Sequence, residues 1–160
     1  MTPPDRAHFS LRPYRGADHD AVLAVFASNT PAFFAPSEAL EFAAFLREPR
    51  SDLMVATSEA ADTIGFGAAY CRTADEGGLA WGMVQRDWHR KGVGQALLDA
   101  RVAHLRTRGV RQIRVHSSPY SAGFFSRSGF VVVAVVTNGF APGIDQVTMR
   151  LHDLRGDSRA

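Results

Sequence analysis

The sequence predicts an α+β domain with a mixed, mostly antiparallel sheet flanked by helices. Strand-like runs and helical stripes follow one another in the order β, α, α, β, β, β, α, β, α, β, β. Only the stretch 79–117 has the strand–helix–strand form of a parallel, right-handed crossover. The chain has 160 residues, of which 46% are hydrophobic, enough to bury one core. We place a single domain at residues 8–153, with flexible termini at 1–7 and 154–160.

The first half of the chain predicts one strand, two helices and then a pair of strands. The run HFSLRPY (8–14) is strand-like, and a helix follows GAD with Asp18 as its N-cap. The segment 29–40 contains two prolines and predicts a loop leading into a second helix, which Ser37 caps. DLMVAT and TIGFGAAYCR then read as strands joined by the short turn SEAAD.

The second half predicts the crossover and a closing strand pair. The turn ADEGG leads into the strand LAWGMVQ (79–85), and a helix follows over roughly 93–108 with Gly109 at its end. VRQIRVHS (110–117) predicts the next strand, and SPYSAGFFSRSG a short helix with Pro119 in its first position. FVVVAVVT and DQVTMRLHDL predict two final strands separated by NGFAPGI. The long helix is indicated by apolar residues at helical spacing: Val93, Leu97, Leu98, Val102 and Leu105.

Composition argues against several classes of partner. The sequence pI is about 9.1 but the net charge is only +2, too small and too scattered to indicate a nucleic-acid partner. Cys71 is the only cysteine, so we expect no intrachain disulfide, no metal site and a reducing compartment. The N-terminus lacks an apolar signal segment, and no apolar run reaches the roughly 18 residues of a membrane span. We therefore expect a cytoplasmic protein with no membrane partner.

The stretch DWHRKGVGQALLDA (87–100) predicts an anion-binding loop. It joins a strand to a helix N-terminus, where unpaired amides and the helix dipole favour negative charge. Gly92 and Gly94 leave the backbone accessible to a phosphate, and Arg90 and Lys91 can screen its charge. The alternative is that the two glycines serve only the tight turn into the helix.

Three known phosphate loops compete for this stretch. The pattern GxxxxGK[ST] is absent, and GxGxxG is incomplete because Leu97 stands where its third glycine belongs. The third pattern, Arg/Gln-x-x-Gly-x-Gly/Ala, ends a strand and opens a long helix. HRKGVG (89–94) matches it, with His89 in the Arg/Gln position as a residue that can still donate a hydrogen bond. This stretch resembles the pyrophosphate loop of the GCN5-related N-acetyltransferase (GNAT) family.

A second motif supports the same resemblance. SPYSAGFFSRSGF (118–130) is similar to the family segment that ends in Phe-Tyr-x-x-x-Gly-Phe, and LRPYRGAD resembles its first strand. The resemblance covers roughly residues 8–152. It implies that acetyl-CoA is the acetyl donor, with its pantetheine arm bonded to strand WGMV and its thioester end near the two phenylalanines. The cofactor-binding residues it implies are Met83, Val84, His89, Arg90, Lys91, Gly92, Val93, Gly94, Gln95, Ser118, Phe124 and Phe125.

The chain departs from the family pattern at the general acid. The resemblance places a tyrosine where this chain has Phe125, which cannot donate a proton. Tyr120 lies five residues earlier and is our candidate acid, with Ser126 and water as rivals. The strand 79–85 carries no carboxylate, so Glu76 in the preceding turn and His116 near the end of the next strand are the candidate bases.

The function implied is acetyl transfer to a primary amine of a small molecule or peptide by direct attack. Four aromatic residues are the candidate acceptor wall: Phe33, Phe34, Tyr70 and Trp81. One alternative is a catalytically inactive CoA-binding module of the same fold, which Phe125 motivates. The other is a basic nucleic-acid-binding domain, suggested by the pI alone. A homodimer is compatible with the sequence and is left open.

Overall fold

The computed structural model describes residues 8–30, 32–47 and 51–152. The predicted flexible termini at 1–7 and 154–160, and the last residue of the predicted domain, lie outside the described residues. Short 3₁₀ turns at Gly16–Asp18 and Arg86–Trp88 precede two of the helices. Over the described ranges the strands are β1 (Phe9–Pro13), β2 (Asp52–Ser58), β3 (Thr63–Cys71), β4 (Glu76–Val84), β5 (Gln112–Ser117), β6 (Val131–Ala141) and β7 (Ile144–His152). The helices are α1 (His19–Ser28), α2 (Glu38–Arg47), α3 (Val93–Thr107) and α4 (Pro119–Arg127).

The strands form one mixed sheet in the order β1-β2-β3-β4-β5-β7-β6. β1 pairs with β2, and β7 with both β5 and β6, in antiparallel fashion. β4 and β5 are parallel, in a ladder that runs from Glu76 opposite Gln112 to Leu79 opposite Val115. Helix α3 connects these two strands, so the predicted crossover and the predicted fold class are confirmed.

The chain divides into two compact units. The first comprises Met1–Ala68 and Trp81–Arg101, and the second comprises Ala69–Ala80 and Val102–Ala160. Strands β3 and β4 each contribute residues to both units, because the division cuts them at Ala68 and Trp81. We call these the first unit and the second unit.

The first unit has an apolar cluster on each face of its strands. Val55 and Ala56 are successive residues of β2 and therefore point to opposite faces. Val55 packs with α1 and α2 in a cluster that includes Phe26 and Phe42. Ala56 packs with Val93 and Leu97 of α3 in the other cluster. The sheet of this unit is thus covered by α1 and α2 on one face and by α3 on the other.

The second unit separates apolar and polar residues across β5 and β7. Ile113, Val115 and Ser117 of β5 are buried, and their register partners on β7 are apolar. The alternate face carries polar residues in direct register: Gln112 with His152, Arg114 with Arg150, and His116 with Thr148.

Strand β4 begins three residues before the predicted start, so Glu76 lies in a strand and not in a turn. The hairpin closes early because the Arg72 amide donates to Glu76 O at 2.7 Å and the Glu76 amide donates to Thr73 Oγ1 at 3.0 Å. Gly77 and Gly78 then fall in the strand. A Cβ at Gly78 would overlap the Tyr70 ring, so glycine is required there by close packing and not by a turn.

Strand β6 is also longer than predicted, and the hairpin to β7 is tighter. Asn138 adopts a φ of +56°, its Oδ1 accepts the Gly143 amide at 2.8 Å, and its own amide donates to Asp145 Oδ1 at 3.1 Å. The Asn-Gly pair that predicted a loop is therefore an irregularity within β6, where the register shifts between Val136 and Ala141.

Candidate functional site

The predicted anion loop connects β4 to α3 through a short 3₁₀ turn. Gln85 begins the turn, and its side chain accepts the Asp87 amide at 2.9 Å. Arg90 and Gly92 then take positive φ values of +63° and +88°. Arg90 is strained in this region, whereas glycine adopts it freely. The positive φ values of these two residues redirect the chain, and α3 begins at Val93, as predicted.

The N-terminal turn of α3 forms an open cradle. The first intrahelical bond runs from the Ala96 amide to Gly92 O at 3.0 Å, so Val93 and Gly94 precede the helical hydrogen-bond ladder. A Cβ at Gly92 would meet no atom within 4 Å, which shows that nothing in the first unit covers this peptide. Arg90 and Lys91 are exposed at its rim. Bare peptide groups, a helix dipole and two cations fit a diphosphate.

The His89 side chain links the loop to the end of β4 by a hydrogen bond. Its Nε2 donates to Val84 O at 2.8 Å, and the same carbonyl accepts a bond of 2.8 Å from Asn29 Nδ2. Asn29 is almost fully buried, and sequence analysis gave it no role. The Val84 carbonyl, expected to bond the cofactor, therefore already has two protein donors. The nitrogen that His89 was expected to direct at a phosphate instead holds the loop to the end of β4.

Cation–aromatic contacts order the outer side of the loop. The Lys91 ammonium lies 5.0 Å from the Trp88 ring centroid, and the Arg86 guanidinium lies 5.4 Å from that of Phe33. Phe33 also makes an edge contact with His89 at 5.2 Å between ring centroids. Phe33, predicted as an acceptor wall, thus remains exposed and packs against the anion loop.

The other two acceptor candidates of the first unit pack against the core under α1 and α2. Phe34 stacks on Phe26 at 4.9 Å, and Trp81 lies 4.9 Å from Phe42. Trp81 has a φ of +52°, which interrupts the regular geometry of β4 directly before Gly82. Phe34 and Trp81, two of the predicted acceptor contacts, are therefore partly buried members of an aromatic cluster.

A buried arginine lies behind this irregular part of β4. Arg101 of α3 is 4% exposed, and its Nε donates to Leu97 O at 3.1 Å and its Nη1 to Ala68 O at 3.2 Å. Burial lowers the pKa of Arg101 to about 10. A Cβ at Gly67 would come within 2.7 Å of its Nε, and one at Gly82 within 3.0 Å of Nη2. A Cβ at Gly67 would therefore displace the guanidinium, whereas a Cβ at Gly82 would make a tight contact with it.

Sequence analysis missed Arg101 although a signal was present. Arg101 is four residues from both Leu97 and Leu105, so helical spacing alone puts it on the buried stripe of α3. Asn29 offered no comparable signal, because its bond to Val84 O joins residues 55 positions apart.

In the second unit, the second sequence motif forms α4. Ser118 is the N-cap with extended backbone, and Pro119 occupies the first helical position as predicted. Phe124 and Phe125 make an edge contact at 5.1 Å, and Phe125 a further one with Phe130 at 5.4 Å. Tyr120, the candidate acid, is 75% exposed.

Three predicted residues of the second unit line one small cavity. They are Tyr70, Glu76 and His116, and the cavity is also bordered by arginines. The Nδ1 of His116 accepts a bond of 2.9 Å from Gln146 Nε2 and lies 3.0 Å from Thr148 Oγ1. With Nδ1 accepting, the ring proton is on Nε2, so neutral His116 presents a donor to the cavity. That arrangement does not favour a role as base.

Partial burial, and then the charges of Arg114 and Arg72, hold the pKa of His116 below its usual value. Within the described ranges, no three His, Cys, Asp or Glu side chains are grouped so as to hold a metal ion. No helix in the described part of the chain is both long and apolar enough to cross a membrane.

Comparison with known proteins agrees with the fold. The sequence model of the acetyltransferase (GNAT) domain matches residues 26–152. The chain is 37% identical over 98 residues to a mycothiol acetyltransferase of Propionibacterium freudenreichii, a stretch that spans 56% of this chain but 30% of that relative.

Solved structures of the same fold cover most of the chain. A protein assigned to the GNAT family from Desulfovibrio desulfuricans has 25% identity and a TM-score of 0.79, covering 91% of this chain and 99% of its own. The ribosomal-protein-S18-alanine N-acetyltransferase of Escherichia coli has 20% identity and a TM-score of 0.77, covering 91% and 94%. A GNAT acetyltransferase of Elizabethkingia anophelis, solved with acetyl-CoA bound, has 13% identity and a TM-score of 0.70, covering 92% and 99%. Since the domain match spans more than half of its length, this chain belongs to the GNAT family of acetyltransferases.

Proposed function

We propose that this GNAT acetyltransferase transfers an acetyl group from acetyl-CoA to a primary amine of a small molecule by direct attack. The observation that carries the proposal is the open cradle at the start of α3, where Gly92 has left-handed backbone and nothing lies over it. The mycothiol acetyltransferase relative supports a small acceptor, although this chain spans only 30% of that relative. A peptide amine is the other acceptor compatible with the family.

The loop residues would bind the donor by its diphosphate. We assign the diphosphate to the amides at the start of α3, beside Val93 and Gly94, with Arg90 and Lys91 supplying charge at the rim. Bound acetyl-CoA supplies the acetyl group as a thioester. Because the Val84 carbonyl already accepts two bonds, we expect strand contacts to the donor to fall on Met83 and on the Val84 amide.

The backbone of β4 is also the expected source of oxyanion stabilisation. The described ladder between β4 and β5 ends at Leu79, so Met83 and Val84 are not part of it. A preorganised amide donor at such a position stabilises negative charge as it develops on the acetyl oxygen. We assign this role to the backbone of Met83 or Val84.

Removal of the proton from the amine costs more free energy than release of the thiolate. A lysine-like amine has a pKa of about 10.4, so its neutral form costs on the order of 4 to 5 kcal/mol at pH 7. By the same reasoning, a leaving thiol with a pKa of about 8.5 costs roughly 2 kcal/mol to release as the thiolate at pH 7. Glu76 and Tyr120 remain the candidate base and acid, and His116 is disfavoured as a base by its hydrogen bonds. Since the thiolate is the cheaper leaving group, Phe125 in place of tyrosine is compatible with turnover.

The test combines CoA binding with thiol release. The purified protein should bind CoA in calorimetry and release thiol from acetyl-CoA with at least one member of an amine panel. Gly92→Glu should weaken CoA binding by about 100-fold or more, because its carboxylate occupies the phosphate position. Gly143→Glu is the matched control, since Gly143 also has positive φ and open space but lies in the β6–β7 turn.

Two results would change the proposal. CoA binding without turnover on any amine would favour the inactive CoA-binding module that Phe125 motivates. An absence of CoA binding by the unmutated protein, or equal binding by the Gly92→Glu variant, would overturn the donor site itself. We also propose that the protein forms a homodimer through the exposed edge strand β6.

A further inference from the structure

The second unit contains a cavity with three arginines among its lining residues. Arg72, Arg114 and Arg150 border it, and Glu76 is the one carboxylate among its described lining residues. All of these belong to the polar face of the second unit or to the adjoining hairpin. The cavity volume is about 40 Å³. Since a site for one water needs roughly 10 to 15 Å³ on this measure, the space suits a group of a few heavy atoms.

The arginines of this cavity are placed against one another. Arg114 of β5 and Arg150 of β7 are directly opposite in the antiparallel register. Like charges in that position are destabilising, and an opposing charge normally relieves them. Within the described residues, no ion pair within 4.0 Å joins Arg72, Arg114 or Arg150 to a carboxylate, and this includes Glu76. Among the described residues, the positive charges of these three arginines are therefore not balanced by a carboxylate within ion-pair distance.

Neutral donors face the same space. The Tyr70 ring is held over Gly78, where a Cβ would overlap its Cζ and Oη, so the hydroxyl is fixed at the cavity. His116 presents Nε2–H because Gln146 donates to its Nδ1. The pKa of His116 is held below its usual value partly by Arg114 and Arg72, which is the effect of a positive local field. Guanidinium groups, which offer paired N–H donors, and neutral donors held in place together suit the binding of a planar or tetrahedral oxyanion.

We propose that this cavity binds a small oxyanion, a carboxylate or a phosphate group, held by the cross-strand pair Arg114 and Arg150 with Arg72, Tyr70 and His116 as further donors. The anion resolves the repulsion of the cross-strand pair. The negative charge of Glu76 offsets the charge of one of the three arginines, so the lining has a smaller net positive charge with which to attract an anion. The site is distinct from the diphosphate cradle of the first unit, and it shares Tyr70, Glu76 and His116 with the residues considered above for the acceptor and the base.

The first test is thermal stability at constant ionic strength. Inorganic phosphate and succinate are the probes, and chloride at equal ionic strength is the control for screening. Binding to the folded state alone raises Tm with probe concentration. We expect phosphate or succinate to raise the Tm of the unmutated protein more than chloride does. Equal shifts with all three salts would overturn the site.

In the Arg114→Gln variant, Tm in chloride and the response to the anion probes should change in opposite directions, which a merely structural role would not produce. Arg114→Gln removes one member of the repelling pair, so Tm should rise in chloride while the response to phosphate and succinate falls, with apparent affinity lower by about tenfold. Arg150→Lys keeps the charge and loses the fork, so it should reduce the response without the gain in Tm. Arg111→Gln, which removes an exposed arginine of the same unit outside the cavity, should respond like the unmutated protein. A full response in the Arg114→Gln variant would overturn the proposal.

Acetyl-transfer kinetics then identify where the oxyanion comes from. If it belongs to an amine acceptor, Arg114→Gln should raise KM for amines that carry an acid group and leave KM for neutral amines unchanged. If it is a separate ligand, both KM values should stay constant while the thermal response is lost. Both results support the site, whereas an equal rise in KM for acidic and neutral amines would overturn a specific role for the guanidinium.

Discussion

Asp18 joins the start of α1 to strand β1 through a bidentate ion pair. Arg12 Nη1 and Nη2 each donate to one oxygen of Asp18 at 2.8 Å, and the Arg15 amide donates to Oδ2 at 2.8 Å. Asp18 occupies the predicted N-cap position but makes no side-chain cap bond. The tertiary partner displaces the local one, because a charge-assisted fork is stronger than a single bond to an amide. The hydrogen bonds from Arg12, the largest effect, keep the pKa of Asp18 below its usual value.

The ion pair predicts a pH-dependent contribution to stability. A carboxyl whose folded pKa is depressed stabilises the fold above its unfolded pKa, about 3.9, and loses this effect as pH falls through the folded value. Asp18→Asn should therefore lower the free energy of unfolding at pH 7 by about 1 to 3 kcal/mol, as for lost bonds to a charged group. Urea denaturation at pH 7 and pH 3 measures both values, and the difference from the unmutated protein should shrink at pH 3.

Asp20→Asn is the control for that measurement. Its carboxylate is fully exposed, and its nearest partner is the exposed ring of His19 on the same helix. We expect no measurable change in the free energy of unfolding, because exposed pairs contribute little. An Asp18→Asn effect of equal size at both pH values would show that the ion pair is not its source.

At the scale of elements, the strand–loop–helix run of the cofactor site could be predicted from the sequence. The apolar spacing of α3 and the two glycines before it depend on neighbours within a few positions, so period and motif suffice to place them. Helix α3 begins at Val93 as predicted and ends one residue before the prediction, at Thr107.

Features that depend on strand register could not be predicted in this way. The opposition of Arg114 and Arg150 exists only once β5 and β7 are aligned, and no local pattern in the sequence indicates it. Glycine at position 78 suits a strand because the Tyr70 ring of β3 occupies the space that a Cβ would take. Contacts between distant positions decide these cases.

The loop between β4 and α3 yields a prediction about His89. Because its Nε2 holds the Val84 carbonyl, His89→Ala should loosen the loop and weaken CoA binding by about tenfold. His89→Gln keeps an N–H donor and should bind CoA nearly as the unmutated protein does. Calorimetry on the two variants separates them. Equal weakening in both would mean that the imidazole, through its contact with Phe33, matters more than the hydrogen bond.

At the scale of the whole molecule, the edge of the sheet carries five of the eight large apolar side chains that are exposed among the described residues. Strand β6 ends the strand order and has a neighbour on one side only, β7. Its valines at 131, 132, 133, 135 and 136 are 46–57% exposed, so apolar side chains are open on both faces of the strand. Long apolar edges pair with other chains unless charge or proline blocks them, and β6 carries neither. The net charge of +2 adds little repulsion between copies.

These properties predict a homodimer in which β6 pairs with β6 of a second copy. Antiparallel pairing of one strand with itself satisfies a twofold axis, since each residue meets the same surface on the partner. Light scattering after size exclusion should give twice the chain mass. Val133→Lys and Val135→Lys should give the monomer mass, because lysine on an edge strand opposes pairing. Leu40→Lys removes an equally apolar residue that is 84% exposed on α2, and it should leave the dimer intact. Monomers of the unmutated protein at every concentration would refute the pairing, and dissociation by Leu40→Lys alone would move the interface to α2.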